Sequence, residues 1–227
     1  MTTARRARPF GHLVVNQLGV LMLDTRFPRV PGDIGNPATF DFPVRLRTVR
    51  GASPQRVVRE RDPALLQPFI DAGRALVDEG ATAITTSCGF LVLFQRELQA
   101  ALPVPVWTSS LLQLENLQRA GVITVDAASL TADHLRAAGA LADTPIEGLS
   151  VGCEFRRTLL DDQPALDIDD ARAETVAAAL RLVARRPKLS TIVLECTNMP
   201  PYADAVRAAT GRAVLDITTL LRQRFQT

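Results

Sequence analysis

Two thiols are the first residues in this chain whose placement suggests chemistry. Cys88 lies in "ITTSCGFL" (Ile84–Leu91) and Cys196 in "IVLECTNM" (Ile192–Met199). Each follows an isoleucine by four residues, and they stand 108 positions apart in a chain of 227. Each also sits where an apolar run ends and a segment of helical period begins. A cysteine at a helix start gains from the positive end of the helix dipole, which lowers its pKa from the usual ~8.5. A thiolate is a base as well as a nucleophile. A thiolate on one face of a bound carbon acid and a thiol on the other can remove a proton and return one from the opposite side, which is stereoinversion without a cofactor. A free cysteine is ordinarily a small buried hydrophobe. The matched placement, among Thr85, Thr86, Ser87 and Gly89 in one copy and Thr197 and Asn198 in the other, favours chemistry over packing.

The elements that must position these thiols follow from the hydrophobic pattern. Short apolar runs alternate with segments of helical period, the signature of α/β architecture with a parallel sheet. Strands are expected at Val20–Leu23, Val44–Val49, Ala81–Thr86, Val104–Trp107, Val122–Val125, Leu149–Val151, Thr191–Leu194 and Ala213–Leu215. One helix should open with Asp62 as N-cap and Pro63 at the first position, kink at Pro68 and end near Gly80, with Leu65, Leu66, Phe69, Leu76 and Val77 on the sheet. Another should open at Asp169 or Asp170, carry Val176, Leu180 and Val183 on one stripe, and stop before Pro187. The segments after Cys88, Thr108, Ser129 and Pro201 also read as helices. At the 108-residue offset, Thr108 in "VPVWTSSLLQL" matches Asp216 in "RAVLDITTLLRQ". Each half therefore shows strand, cysteine, helix, strand, polar residue and helix. The expected fold is α/β, with two pseudo-symmetric halves, mainly parallel sheets and the active site in the cleft between them. Residues 1–10 read as a flexible basic tail, 11–120 as the first lobe and 121–227 as the second, with the crossover around Gly121. Ligands of such sheets gather at the carboxyl ends of the strands, where both cysteines sit.

At these residues the chain resembles the aspartate/glutamate racemase superfamily, which also includes hydantoin racemases, maleate isomerases and arylmalonate decarboxylases. "CTN" at Cys196–Asn198 is similar to the family's second motif. "SCGF" at Ser87–Phe90 occupies the place of the first, where amino-acid racemases usually show cysteine, asparagine and threonine, so Gly89 and Phe90 depart from that pattern. The resemblance implies that Cys88 and Cys196 are the two acid/base catalysts. It implies further that neighbouring hydroxyls and backbone amides, at Ser87, Gly89, Thr197 and Asn198, hold a substrate carboxylate. In relatives the loop after the first strand contributes to the substrate site. Here that loop is "LDTRFPRVPGDIGNPATF" (Leu23–Phe40), and it offers Asp24, Thr25, Arg26, Asp33 and Asn36, with Arg26 able to pair bidentately with a carboxylate. Asp24, Thr25, Arg26 and Asn36 are the loop contacts this reading selects. Relatives are often dimers, which implies a homodimer.

The remaining residues narrow the choice. Cys153 has no partner at the offset and reads as structural, although its loop, with Glu154, lies near the expected pocket. His12 and His134 sit beside no nucleophile, and His134 reads as a solvated helical residue. Trp107 reads as packing. Lys188 is the chain's one lysine and precedes a strand, so it lies at the wrong end of the sheet for pyridoxal phosphate chemistry. No HExxH or CxxC spacing offers a metal site, and no GxGxxG or GxxxxGK[ST] offers a nucleotide site. No cofactor is expected. With 26 basic and 24 acidic residues, the net charge of +2 gives no argument for nucleic acid. Arg5, Arg6 and Arg8 form a short basic start, without the pattern of a leader peptide, and no run reaches the roughly 18 apolar residues of a membrane span. Three cysteines without disulfide spacing suggest a reducing cytoplasm. The functional expectation is a cofactor-independent racemase or epimerase, an isomerase inverting the carbon alpha to a carboxylate by two-cysteine proton transfer. The alternatives are a maleate-type cis-trans isomerase, an arylmalonate-type decarboxylase, or a non-catalytic ligand-binding relative.

Overall fold

Six consecutive apolar or glycine residues, Leu18–Leu23, form strand β1, and all six are buried. Such a run suits a parallel strand covered on both faces. In the computed structural model, which describes residues 16–225, β1 lies inside a four-stranded parallel sheet of order β2-β1-β3-β4. Its other members are β2 (Val44–Val49), β3 (Ala83–Thr86) and β4 (Val106–Trp107). A second parallel sheet has the corresponding order β6-β5-β7-β8, built from β5 (Ala120–Thr124), β6 (Ile146–Gly148), β7 (Thr191–Leu194) and β8 (Ala213–Leu215). Two sheets of like topology make this an α/β fold with internal duplication. The cysteine strands β3 and β7 occupy equivalent inner positions.

Helices α1 (Leu66–Asp78) and α2 (Gln95–Ala101) flank the first sheet; α3 (Ala132–Ala137), α4 (Glu154–Leu160), α5 (Ile168–Arg185) and α6 (Ala203–Thr210) flank the second. The last helix, α7 (Ile217–Phe225), crosses back to the first. Its Ile217, Leu220 and Leu221 pack with Leu18, Val20, Met22 and Ala83 of β1 and β3. In return, the 3₁₀ turn Ser110–Asn116 that follows β4 reaches the second sheet, where the Ser110 hydroxyl donates to the Leu194 carbonyl at 2.7 Å. Each half is thus completed by a segment of the other.

Several local expectations change. Pro68 does not kink α1, because the helix starts only at Leu66 and Pro68 falls in its first turn, where no amide donor is needed; Asp62 instead caps a 3₁₀ turn over Pro63–Leu65. The segments after Cys88 and Thr108 begin as 3₁₀ turns. The strand expected at Leu149–Val151 lies three residues earlier, and Val151 is 90% exposed. Helix α5 buries Ala171, Thr175, Ala178, Ala179 and Leu182 and leaves Leu180 exposed, since close approach to the sheet selects small side chains over large ones. His134 is fully buried, its ring edge-on to Phe90 at 5.1 Å. Arg5, Arg6, Arg8 and His12 lie outside the described residues. No helix among the described residues is long and apolar enough to cross a membrane.

Candidate active site

Strand β3 ends in hydroxyl residues that a buried strand must satisfy. The Thr85 hydroxyl donates to the Trp107 carbonyl at 2.6 Å and the Thr86 hydroxyl to that of Thr108 at 2.7 Å, which fixes β3 against β4. The Ser87 amide donates to the Leu21 carbonyl, while the Ser87 hydroxyl accepts from the Leu23 amide at 2.8 Å. Cys88 then sits in extended conformation immediately before the 3₁₀ turn Gly89–Phe94, and the amides of Phe90 and Leu91 bond its thiol. In the second lobe β7 runs out through Glu195 to Cys196, whose thiol donates to Asn198 Oδ1 at 3.5 Å.

Both cysteines line one pocket, with Ser87, Gly89, Thr197, Asn198 and Glu195 on its floor. Leu23, Phe27 and Val58 wall it from the first lobe and Val125, Leu159 and Leu160 from the second. The pocket encloses about 370 Å³ of empty space including its open mouth. It is narrow between the lobes, with most of its free space toward the mouth.

The loop after β1 enters mainly as support. Asp33, 2% exposed, accepts from Arg29 at 3.2 Å, from the Gly35 amide at 2.7 Å and from Asn198 Nδ2 at 2.5 Å. Arg29, Asp33, Asn198 and Cys196 thus form one chain of contacts across the lobes. Asp24 accepts from the Gly51 amide, Thr25 accepts from Arg29, and Asn36 caps the 3₁₀ turn Pro37–Thr39 while donating to the Arg29 carbonyl. Arg26 points outward and holds Asp162, through its own amide at 2.6 Å and its guanidinium at 3.1 Å. None of these four loop residues lines the pocket; Leu23 and Phe27 of the same loop do. Cys153 caps α4, its sulfur accepting from the Arg156 amide at 3.4 Å, and also lies outside the pocket wall.

Glu195 is the functional candidate that the sequence reading passed over. It is 1% exposed, its Oε2 accepts from the Thr124 hydroxyl at 2.6 Å, and its Oε1 is buried with no hydrogen-bond partner. A methyl group built on Gly89 would collide with Oε1 and lie 2.5 Å from the Glu195 carbonyl oxygen. The glycine that breaks the racemase-like motif thus makes room for this carboxyl group. The available signal was an acid ending an otherwise apolar strand, directly before the second cysteine.

Burial dominates the electrostatics. It pushes the Glu195 carboxyl up to about 7, against which the Thr124 hydrogen bond works. Burial, reinforced by the charge of Glu195, pushes the Cys88 thiol up to about 12, with the Phe90 and Leu91 amides and Arg29 pulling the other way. Cys196 is raised well above its ordinary value by burial, then by Glu195, with Cys88 and Asp33 adding to the effect. The thiolate stabilisation expected at a helix start is outweighed at both sites. Both feel Glu195; Cys88 also has a nearby cation, Arg29, whereas Cys196 has a second anion, Asp33.

No family model matches the chain. It is 34% identical over 218 residues to a dimethylsulfoniopropionate lyase of Durusdinium sp. clade D, a match covering 88% of this chain and 70% of that protein. The chain belongs to the dimethylsulfoniopropionate lyase family. Dimethylsulfoniopropionate lyase 7 of Emiliania huxleyi (strain CCMP1516) is 31% identical over 220 residues, covering 89% of this chain and 64% of that protein, so this chain is shorter than both relatives. Among solved structures, allantoin racemase from Klebsiella pneumoniae superposes with a TM-score of 0.61 at 13% identity, covering 88% of this chain and 82% of that one. Unliganded arylmalonate decarboxylase gives 0.58 at 17%, covering 88% and 86%, and Picrophilus torridus aspartate racemase 0.54 at 10%, covering 92% and 94%. These likenesses show the fold, that of the aspartate/glutamate racemase superfamily. The expectation of a racemase, and of an isomerase generally, is overturned: the curated relatives are lyases. Fold resemblance pointed to the wrong reaction because one scaffold hosts several chemistries.

Proposed function

We propose that this protein is a lyase that cleaves the carbon–sulfur bond of dimethylsulfoniopropionate or a close sulfonium carboxylate by β-elimination. The observation that carries the reading is the 34% identity to a dimethylsulfoniopropionate lyase across 88% of the chain. The pocket supports it, bringing both cysteines and Glu195 together between apolar walls.

The reaction needs one base. It takes a proton from the carbon next to the carboxylate, and the electron pair of that C–H bond becomes the second bond of the alkene. The carbon–sulfur bond breaks, and sulfur leaves with its bonding pair as neutral dimethyl sulfide, with acrylate as the other product. The leaving group needs no proton, and the proton on the base passes to solvent. We assign the base to Cys88, whose thiol has two backbone amides and the charge of Arg29 to favour ionisation. Cys196, held protonated by burial and by its acidic neighbours, is assigned to hydrogen-bond the substrate carboxylate as negative charge builds on it. Amides beside the two cysteines would hold the same group, and the narrow pocket would exclude water.

The test is headspace chromatography of dimethyl sulfide together with acrylate quantitation. Release by the wild-type protein, with losses of about 10³-fold in Cys88→Ser and Cys196→Ser and little change in Cys153→Ser, is expected. Absence of dimethyl sulfide from the wild-type protein overturns the reading.

A further inference from the structure

The pocket contains an acid with nothing to neutralise it. Glu195 Oε1 is buried and unpartnered, and no lysine, arginine or histidine is among the residues that line the pocket. Arg29, a cation close enough to act on Cys88, spends its guanidinium on Asp33 and Thr25. A buried carboxylate without a counter-charge costs several kcal/mol on general grounds and so either holds a proton or awaits a cation. The structure also keeps the acid in place, since Gly89 is open at the position where any side chain would displace Oε1.

The cation must have particular properties. An ammonium group brings N–H donors, each needing an acceptor, and the surrounding walls of Leu23, Phe27, Val58, Val125, Leu159 and Leu160 supply none from their side chains. A dimethylsulfonium group has no donors. Its methyl groups pack against apolar surface, and its charge asks only for one nearby anion.

We propose that Glu195 is the residue that selects the sulfonium, with its free Oε1 serving as the counter-charge beside which the leaving group is seated. This inference rests on the elimination reading and adds the residue that recognises the charged end of the substrate. It also couples recognition to chemistry. The bound sulfonium draws the proton from Glu195 into solvent and places a positive charge beside both thiols, whose ionisation burial otherwise opposes. The base is therefore activated by arrival of the substrate it acts on.

The experiment uses the full chain carrying Cys88→Ser, which prevents turnover, and measures by calorimetry the affinity for dimethylsulfoniopropionate and for 4-methylpentanoate, its isostere with an uncharged carbon in place of the sulfonium sulfur. With Glu195 present the sulfonium should bind roughly 30-fold more tightly than the isostere or better. Adding Glu195→Gln should bring the two within about 3-fold by weakening only the sulfonium, and Glu195→Asp should retain a reduced preference. Circular dichroism checks that each variant folds. A preference that survives Glu195→Gln, or its absence when Glu195 is present, overturns the assignment. If wild-type protein still releases dimethyl sulfide in that case, the selectivity inference alone falls; if it neither binds nor cleaves the sulfonium, the elimination reading falls with it.

Discussion

The two cysteine-bearing strand ends share a backbone plan and differ in every flanking residue. Ser87, Gly89 and Phe90 surround Cys88, where Glu195, Thr197 and Asn198 surround Cys196. The differences are complementary across the cleft. The Thr197 hydroxyl donates to the Ser87 carbonyl at 2.6 Å, and the Glu195 carboxyl occupies the space left open at Gly89. Nearby charges differ too, with Arg29 favouring ionisation of Cys88 and Asp33 opposing it at Cys196. Two equivalent faces suit a reaction that passes a proton in either direction. Unequal faces suit one that removes a proton and expels a leaving group. The two halves share a scaffold, and the three residues named beside each cysteine supply the asymmetry.

The most severe way to break this complementarity is Gly89→Ala. The new methyl group meets both Glu195 Oε1 and the Glu195 backbone carbonyl, and backbone cannot yield as a flexible side chain would. A loss of about 3 kcal/mol in denaturant unfolding is expected, with elimination activity falling at least 100-fold. Near-wild-type behaviour would mean that the two motifs do not interlock as described.

Glu195→Gln gives the next largest effect on stability, and its sign runs opposite to the usual mutation. Folding raises this carboxyl from 4.5 to about 7. The stability associated with its protonated form is complete below about pH 4.5 and is lost as pH rises through about 7. The loss approaches roughly 3 kcal/mol by pH 8, as an upper bound from the size of the shift. Glutamine removes that decline, so the variant should melt higher than wild type at pH 8 and show no such difference at pH 4.5. The other titratable and charged groups around the pair of cysteines, Cys88, Cys196, Asp33 and Arg29, are unchanged in the comparison, and both thiols stay protonated across this range. Equal melting temperatures at both pH values would show that Glu195 is not an unpaired buried acid.

Thr197→Val removes one donor and strands the buried Ser87 carbonyl, at an expected cost of about 1–2 kcal/mol in unfolding free energy. The smallest effect belongs to Arg26→Ala. Its pair with Asp162 is a surface contact, the arginine side chain being 70% exposed, and should contribute about 0.5 kcal/mol or less. KM for the sulfonium substrate should stay within about 2-fold, whereas an arginine gripping the substrate carboxylate would raise it 10-fold or more.

The parts of this molecule that were readable in its sequence are those set by local pattern. Strands β2, β7 and β8 begin and end where the sequence pattern places them, and the offset of 108 residues anticipates two sheets of like strand order. Pattern failed where tertiary contact makes the choice. Val176, Leu180 and Val183 form the stripe the pattern selects on α5, yet Leu180 is exposed, Val176 and Val183 are only partly buried, and the fully buried face is Ala171, Thr175, Ala178, Ala179 and Leu182. His134 carries no local mark of burial, because its Phe90 neighbour comes from the other lobe. The loop candidates Asp24, Thr25, Arg26 and Asn36 were rightly recognised as polar groups on an irregular path, but their hydrogen bonds serve the loop itself or, for Arg26, a distant turn. Glu195 was visible as an acid in an odd place. What makes it notable, one oxygen left free opposite a glycine over a hundred residues away, exists only in three dimensions.

The exchanged terminal helix sets an order of events during synthesis. Leu18, Val20, Met22 and Ala83 gain their cover from Ile217, Leu220 and Leu221, which leave the ribosome only after the strands of both sheets. Until then the N-terminal sheet carries a bare greasy face, a target for chaperones and for other nascent chains. The earlier half therefore waits on the later one, and a ribosome that stalls before α7 releases a sticky product.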